Sequence, residues 1–200
     1  ALGDLRSAEH RFTRAIRLAR ILDAPHFLCE WLHALAKLLH SAGRPGEAQP
    51  LNEEALAVAV RHGERDIELR ARLLSLRLQV ALGHVRPSDA ALELRVLEHA
   101  WTGTPERAAI MEALVEFRPA QVGTRATAAA LYQELYERAP NVEYRRAFER
   151  LTGTTLPPGA PLPPVPAAAA LGPVDVDDLL EQVEPAVGAR TPRSAAREAI

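Results

Sequence analysis

The feature that most limits what this chain can fold into is a repeated spacing. Glycines recur every forty residues, at Gly3, Gly43, Gly83 and Gly123, in a chain of 200 residues with eleven glycines in all. The echoes around them follow the same register. Ala8, Ala48 and Ala128 each stand five positions after a glycine, where the third copy has Ser88 with Ala90 and Ala91 close by. Nine positions after the glycine come Phe12, Asn52, Leu92 and Tyr132, and twelve after it Ala15 and Ala55. Small residues let two helices approach closely, larger ones fill the space between layers, and a glycine lets the chain turn out of one helix before the next begins. A helix pair built this way cannot bury its own apolar face, so the spacing predicts a stack of pairs.

Composition agrees with helices. Leu and Ala dominate, aromatic residues make up 4%, and β-branched residues are scarce over the first 150 positions, which favours packed helices over sheet. The pattern predicts helices at about 4–22, 27–42, 46–62, 65–82, 88–101, 105–118, 124–138 and 141–151. Pro25, Pro45, Pro87, Pro105 and Pro140 fall at or near these boundaries, where proline is tolerated. Pro50 falls early in its helix and suggests a later start, and Asn141 reads as a cap for a last helix with Tyr144, Phe148 and Leu151 on one face.

On these residues the chain resembles the tetratricopeptide repeat (TPR) family. Leu32, Leu35, Ala36 and Leu39 occupy that family's core offsets before Gly43, Ala48 and Ala55 follow in the second helix, and Tyr132 and Pro140 match the last copy. The resemblance covers residues 1–151 and implies an all-α, right-handed superhelical stack of antiparallel helix pairs. The departures are a period of forty against the family's roughly 34, Asn52 where a bulky residue is expected, and a one-residue slip in the helix containing Arg70. The chain opens in the middle of a repeat at Ala1 and is expected to be a piece of a larger bacterial-type regulator.

After residue 151 the pattern stops. Seven prolines between Leu156 and Pro173 predict an extended linker over 152–174. Residues 175–200 then hold an acidic amphipathic segment and a basic tail. Val176, Leu179, Leu180 and Val183 form a narrow apolar stripe at i, i+3, i+4 and i+7, surrounded by Asp175, Asp177, Asp178, Glu181 and Glu184.

No motif for catalysis is apparent: there is no phosphate-binding glycine loop, nucleophile elbow, paired-histidine zinc helix or calcium loop. His26, Cys29 and His33 cluster on one helix, yet a fourth metal ligand has no source, and core and surface roles explain them more simply. Tyr132, Tyr136 and Tyr144 read as packing residues. No enzyme activity, cofactor or metal is therefore expected. The formal net charge of −2 gives no electrostatic case for nucleic acid or an anionic membrane, and the single Cys29 fits a reducing, cytoplasmic setting.

The resemblance assigns the inner wall of the stack to the first helix of each pair. There Glu30, His33, Lys37 and His40 flank the core stripe of the second pair, and Arg70 and Arg77, seven apart, extend the wall with positive charge. The expected function is a protein-interaction module that grips a peptide or partner domain along this wall, with the acidic stripe of the tail competing for it. Chaperone carboxylate binding is not expected, because the wall lacks the asparagines on which that subfamily relies. The alternative is a small-molecule sensor in which Trp31, Trp101 and the histidines line one cavity.

Overall fold

The structure, a computed structural model, describes residues 2–157. The described chain is all-helical and repeat-like, with eight helices and no strand: α1 (Leu2–Ile21), α2 (Pro25–Ser41), α3 (Pro45–His62), α4 (Arg65–Ala81), α5 (Pro87–Ala100), α6 (Thr104–Phe117), α7 (Val122–Arg138) and α8 (Val142–Thr152). The linker beyond Pro157 and the stripe Val176, Leu179, Leu180 and Val183 lie outside the described residues. Each helix packs on the next, and the further contacts join alternate helices, α2 to α4 and α4 to α6.

The turn chemistry explains the succession. Gly43 and Gly83 have φ of +76° and +75°, a left-handed conformation that costs a side-chain-bearing residue energy. Around Gly43 the Arg44 N–H donates to the Leu39 carbonyl and the Gly43 N–H to that of His40; around Gly83, His84 donates to Gln79 and Gly83 to Val80. These are two copies of one Schellman C-cap. The same reach, from one N–H to the carbonyl five residues back, recurs where Ala24 bonds to Ala19 and Glu64 to Ala59, with Asp23 and Gly63 at positive φ. The underlying step is therefore one helix plus one turn in twenty residues, at 23, 43, 63 and 83. Forty is two such steps.

Two of the four in-register glycines do not mark bends, contrary to expectation. Gly3 lies within α1 and Gly123 in the first turn of α7. For Gly123 the cause is the shortening of α5 and α6 to 14 residues each, which brings the start of α7 forward to Val122. Pro50 also departs from expectation: it sits inside α3, which begins at Pro45. Its ring opposes the carbonyl of Gly46, and it is exposed, so the cost is confined to one helical hydrogen bond on the solvent side.

The core falls into two main clusters. Ile16, Leu32, Leu35, Ala36, Leu39, Ala48 and Ala55 form the first with Leu74 and Leu78 of α4. The second joins Leu69, Leu73 and Leu76 of α4 to α5–α8 through residues such as Leu94, Ile110 and Leu114. Helix α4 is thus apolar on two sides and forms the wall shared by both clusters. At the far end, the Asn141 side chain accepts a hydrogen bond from the Glu143 N–H at 2.7 Å, and Leu151, Tyr144 and Phe148 of α8 close the second cluster.

Candidate functional site

Five of the six residues expected on the wall meet in one groove of about 430 Å³: His33, Lys37 and His40 from α2, and Arg70 and Arg77 from α4. Helix α6 adds Ala109, Glu112 and Glu116, and α8 adds Arg150. The sixth residue, Glu30, stands beside the groove and holds Arg70 through two hydrogen bonds of 2.7 and 3.2 Å. Alternate helices alone supply this lining.

A ladder of ion pairs runs along it. Glu30–Arg70 joins α2 to α4 across forty residues. Arg77 grips Glu116 at 2.6 and 2.9 Å and joins α4 to α6 across 39. Arg150 reaches Glu112 at 2.8 Å and joins α6 to α8 across 38. Glu112 also accepts the Tyr132 hydroxyl at 2.7 Å, which ties α7 into the same network. Burial and the Glu112 carboxylate together push the Tyr132 phenol upward, so it stays a donor. Glu30 is held below the ordinary carboxylate range chiefly by the Arg70 hydrogen bond, and Arg70, despite its burial, is lifted by Glu30 and Asp66.

Beneath the ladder lies a buried polar bridge. Nδ1 of His33 lies 3.2 Å from Oδ1 of Asn52, and the Asn52 amide donates to the Ala71 carbonyl at 2.8 Å and to Ser75 Oγ at 2.9 Å. With its amide donating to α4, Asn52 offers His33 an acceptor, so His33 carries its proton on Nδ1. Three helices are joined by two side chains, both buried. Asn52, which stands where a bulky residue is expected, therefore has a structural role. Burial, opposed by the Asn52 hydrogen bond, brings the His33 pKa down to about 4, so the ring is neutral near pH 7. His40 is likewise shifted down by burial and then by the Arg77 charge, and its Nδ1 is buried without a hydrogen-bond partner among the described residues.

The groove lining carries four cations, Lys37, Arg70, Arg77 and Arg150, against two carboxylates, Glu112 and Glu116. The three arginines are committed to carboxylates. Lys37 is exposed and forms no ion pair among the described residues. The groove thus presents a fixed lattice of oriented donors and acceptors plus one uncommitted ammonium.

Other sequence candidates separate. His26 turns to Glu64 at 2.9 Å, Cys29 is sealed beside Ala59 and Ile67 with its thiol bonded to the His26 carbonyl, and His33 turns to Asn52. Among the described residues no group of His, Cys, Asp and Glu is placed to hold a metal ion. Trp31 and Trp101 do not share a cavity: Trp31 packs on the first cluster, whereas Trp101 is buried in the second beneath the Arg65 guanidinium, 4.7 Å from the ring centre. Sequence reading missed Glu112, Glu116 and Arg150. Their signal was present as opposite charges 38 to 40 residues apart on alternate helices.

No family model, curated protein or solved structure matches this chain. Among the described residues, no helix is long and apolar enough to cross a membrane.

Proposed function

We propose that the chain is a right-handed α-solenoid of TPR type and acts as a protein-interaction module, holding a peptide or a segment of a partner domain against the wall of α2, α4, α6 and α8. The observation that carries this reading is the convergence of side chains from those four alternate helices on one groove. A succession in which helices touch only near neighbours in sequence supports the solenoid, because each pair then relies on the next for cover.

The chemistry favours binding over catalysis. Cys29 is fully buried and its thiol is pushed up by burial, which disfavours the thiolate a nucleophile needs. The wall instead offers preorganised polar groups. A ladder already fixed in place costs little further ordering when a peptide arrives, and Lys37 supplies the one charge that a partner would neutralise. In a longer chain such a wall suits a scaffold or the sensor arm of a cytoplasmic regulator.

The test is a peptide-array screen with the full chain, followed by titration of the tightest peptide against Lys37→Ala and His40→Ala. Lys37→Ala is expected to weaken binding about tenfold with an unchanged far-UV circular dichroism spectrum. Unchanged affinity in both variants, or the absence of any peptide bound at 100 µM, would contradict the proposal.

A further inference from the structure

Among the described residues, the core positions of α1 lack half of their cover. Ala8, Phe12 and Ala15 follow Gly3 by the same five, nine and twelve positions by which Ala48, Asn52 and Ala55 follow Gly43. In α3 those positions are sealed between α2 and α4, at 0%, 1% and 0% exposure. In α1 they are only half-buried. Together with Trp31 they border a groove of about 670 Å³ that Arg11 and Arg14 also line. Phe27, 53% exposed, stacks on Trp31 at 5.5 Å and extends the apolar surface. By comparison with α3, the missing element is the counterpart of α2.

The chain contains a second copy of the stripe with which α2 does this work. Leu32, Leu35, Ala36 and Leu39 of α2 are spaced i, i+3, i+4 and i+7, and so are Val176, Leu179, Leu180 and Val183. Charge is complementary as well. Helix α1 carries five arginines against Asp4 and Glu9, whereas Asp175–Glu184 carries five acidic residues and no basic one. We propose that the segment Asp175–Glu184 docks as a helix in the α1–α2 groove, its apolar stripe on Phe12 and Trp31 and its acids toward Arg11 and Arg14. The polar wall of α2, α4, α6 and α8 suits that stripe less well, since charged and imidazole side chains dominate it.

The connection is long enough. The chain leaves α8 across α7, where the Tyr136 hydroxyl donates to the Pro157 carbonyl at 3.0 Å. Residues 158–175 in extended proline-rich geometry reach about 55 Å. Three hairpin steps from α7 to α1, at about 10 Å each, come to roughly 30 Å.

The test uses the full chain with Ser7→Cys at the groove and Glu181→Cys beside the stripe; Cys29, at 0% exposure, stays unreactive. A short bismaleimide is expected to link the two within one molecule, and Leu179→Glu with Leu180→Glu is expected to lower the yield at least tenfold. Links only between molecules would assign the groove to a second copy and overturn the proposal. No link, or a yield indifferent to the stripe variant, would overturn it equally. Amide exchange in residues 5–17 provides a readout that leaves α1 unaltered: the stripe variant should speed it about tenfold without changing α6–α8, and equal rates would refute docking.

Discussion

The first four helices and the last four solve the same packing problem with different means. Helices α1–α4 have 20, 17, 18 and 17 residues, and turns with a left-handed residue at 23, 43 and 63 join them. Helices α5–α8 have 14, 14, 17 and 11, and no residue of positive φ lies between them. In the first half a constant turn keeps helices in register, so small residues meet at close approach: Ala36, Ala48, Ala55 and Ala59 are all at 0% exposure. The room left in that tight seam is filled by the polar pair His33 and Asn52. In the second half buried alanines persist, among them Ala90, Ala108, Ala113 and Ala128 at 0% exposure, but the buried aromatic side chains Trp101, Tyr132 and Tyr136 join them. Both halves use alanines at close approach; the first completes its seam with a buried polar pair, the second with buried aromatic rings.

The comparison breaks most visibly at Asn52. Asn52→Ala would strand the His33 N–H in the core and remove the amide bonds to the Ala71 carbonyl and Ser75, and about 3 kcal/mol of destabilisation is expected in urea unfolding. Tyr132→Phe in the other half removes a single hydroxyl from Glu112, and about 1–2 kcal/mol is expected. Equal effects would erase the distinction between a polar seam and an apolar one.

Acid should separate the halves by nearly as much. The folded-state pKa of His33, about 4, lies below its unfolded value of 6.5, so the unfolded chain binds more protons between those pH values. The contribution of a neutral His33 is fully present above pH 6.5 and is lost as pH falls through 4, a change of up to about 3 kcal/mol. His84 and His99, the histidines of the later region, are exposed. Amide protection factors, with the intrinsic pH dependence of exchange divided out, should therefore fall first in α2–α4 between pH 7 and 4.5, and His33→Gln, which keeps a donor toward Asn52, should flatten that response. A uniform fall in protection along the chain would count against the assignment.

How much of this was legible in the sequence follows the same division. Helix boundaries could be read to within a few residues because prolines and apolar stripes report on local conformation. The twenty-residue step was hidden because its first turn uses Asp23, and because Gly3 and Gly123 fell into register within helices. The wall residues His33, Lys37, His40, Arg70 and Arg77 could be named because helical spacing puts them on one face and the resemblance assigns that face to the wall. Glu112, Glu116 and Arg150 could not, since a helix face tells which residues share a side but not which helix stands opposite. Asn52 could be recognised as anomalous, yet its partners lie on two other helices, beyond the reach of any local pattern.

A smaller effect sharpens the role of the turns. Among the described residues nothing lies within 4 Å of a Cβ built on Gly43, so Gly43→Ala should cost about 1 kcal/mol through backbone strain alone. Asp23→Gly, at φ +50°, should gain about 0.5 kcal/mol by relieving it. Thermal unfolding of the two variants should move in opposite directions.

The central claim is that helices forty residues apart share one wall, and a charge exchange across it tests this most directly. Arg77→Glu and Glu116→Arg should each destabilise the chain by about 1 kcal/mol, and the double exchange should recover most of that loss by restoring the pair. Urea unfolding of the four proteins measures the cycle. Recovery in the double variant is the result predicted here; losses that simply add would mean that α4 and α6 do not face one another across the groove.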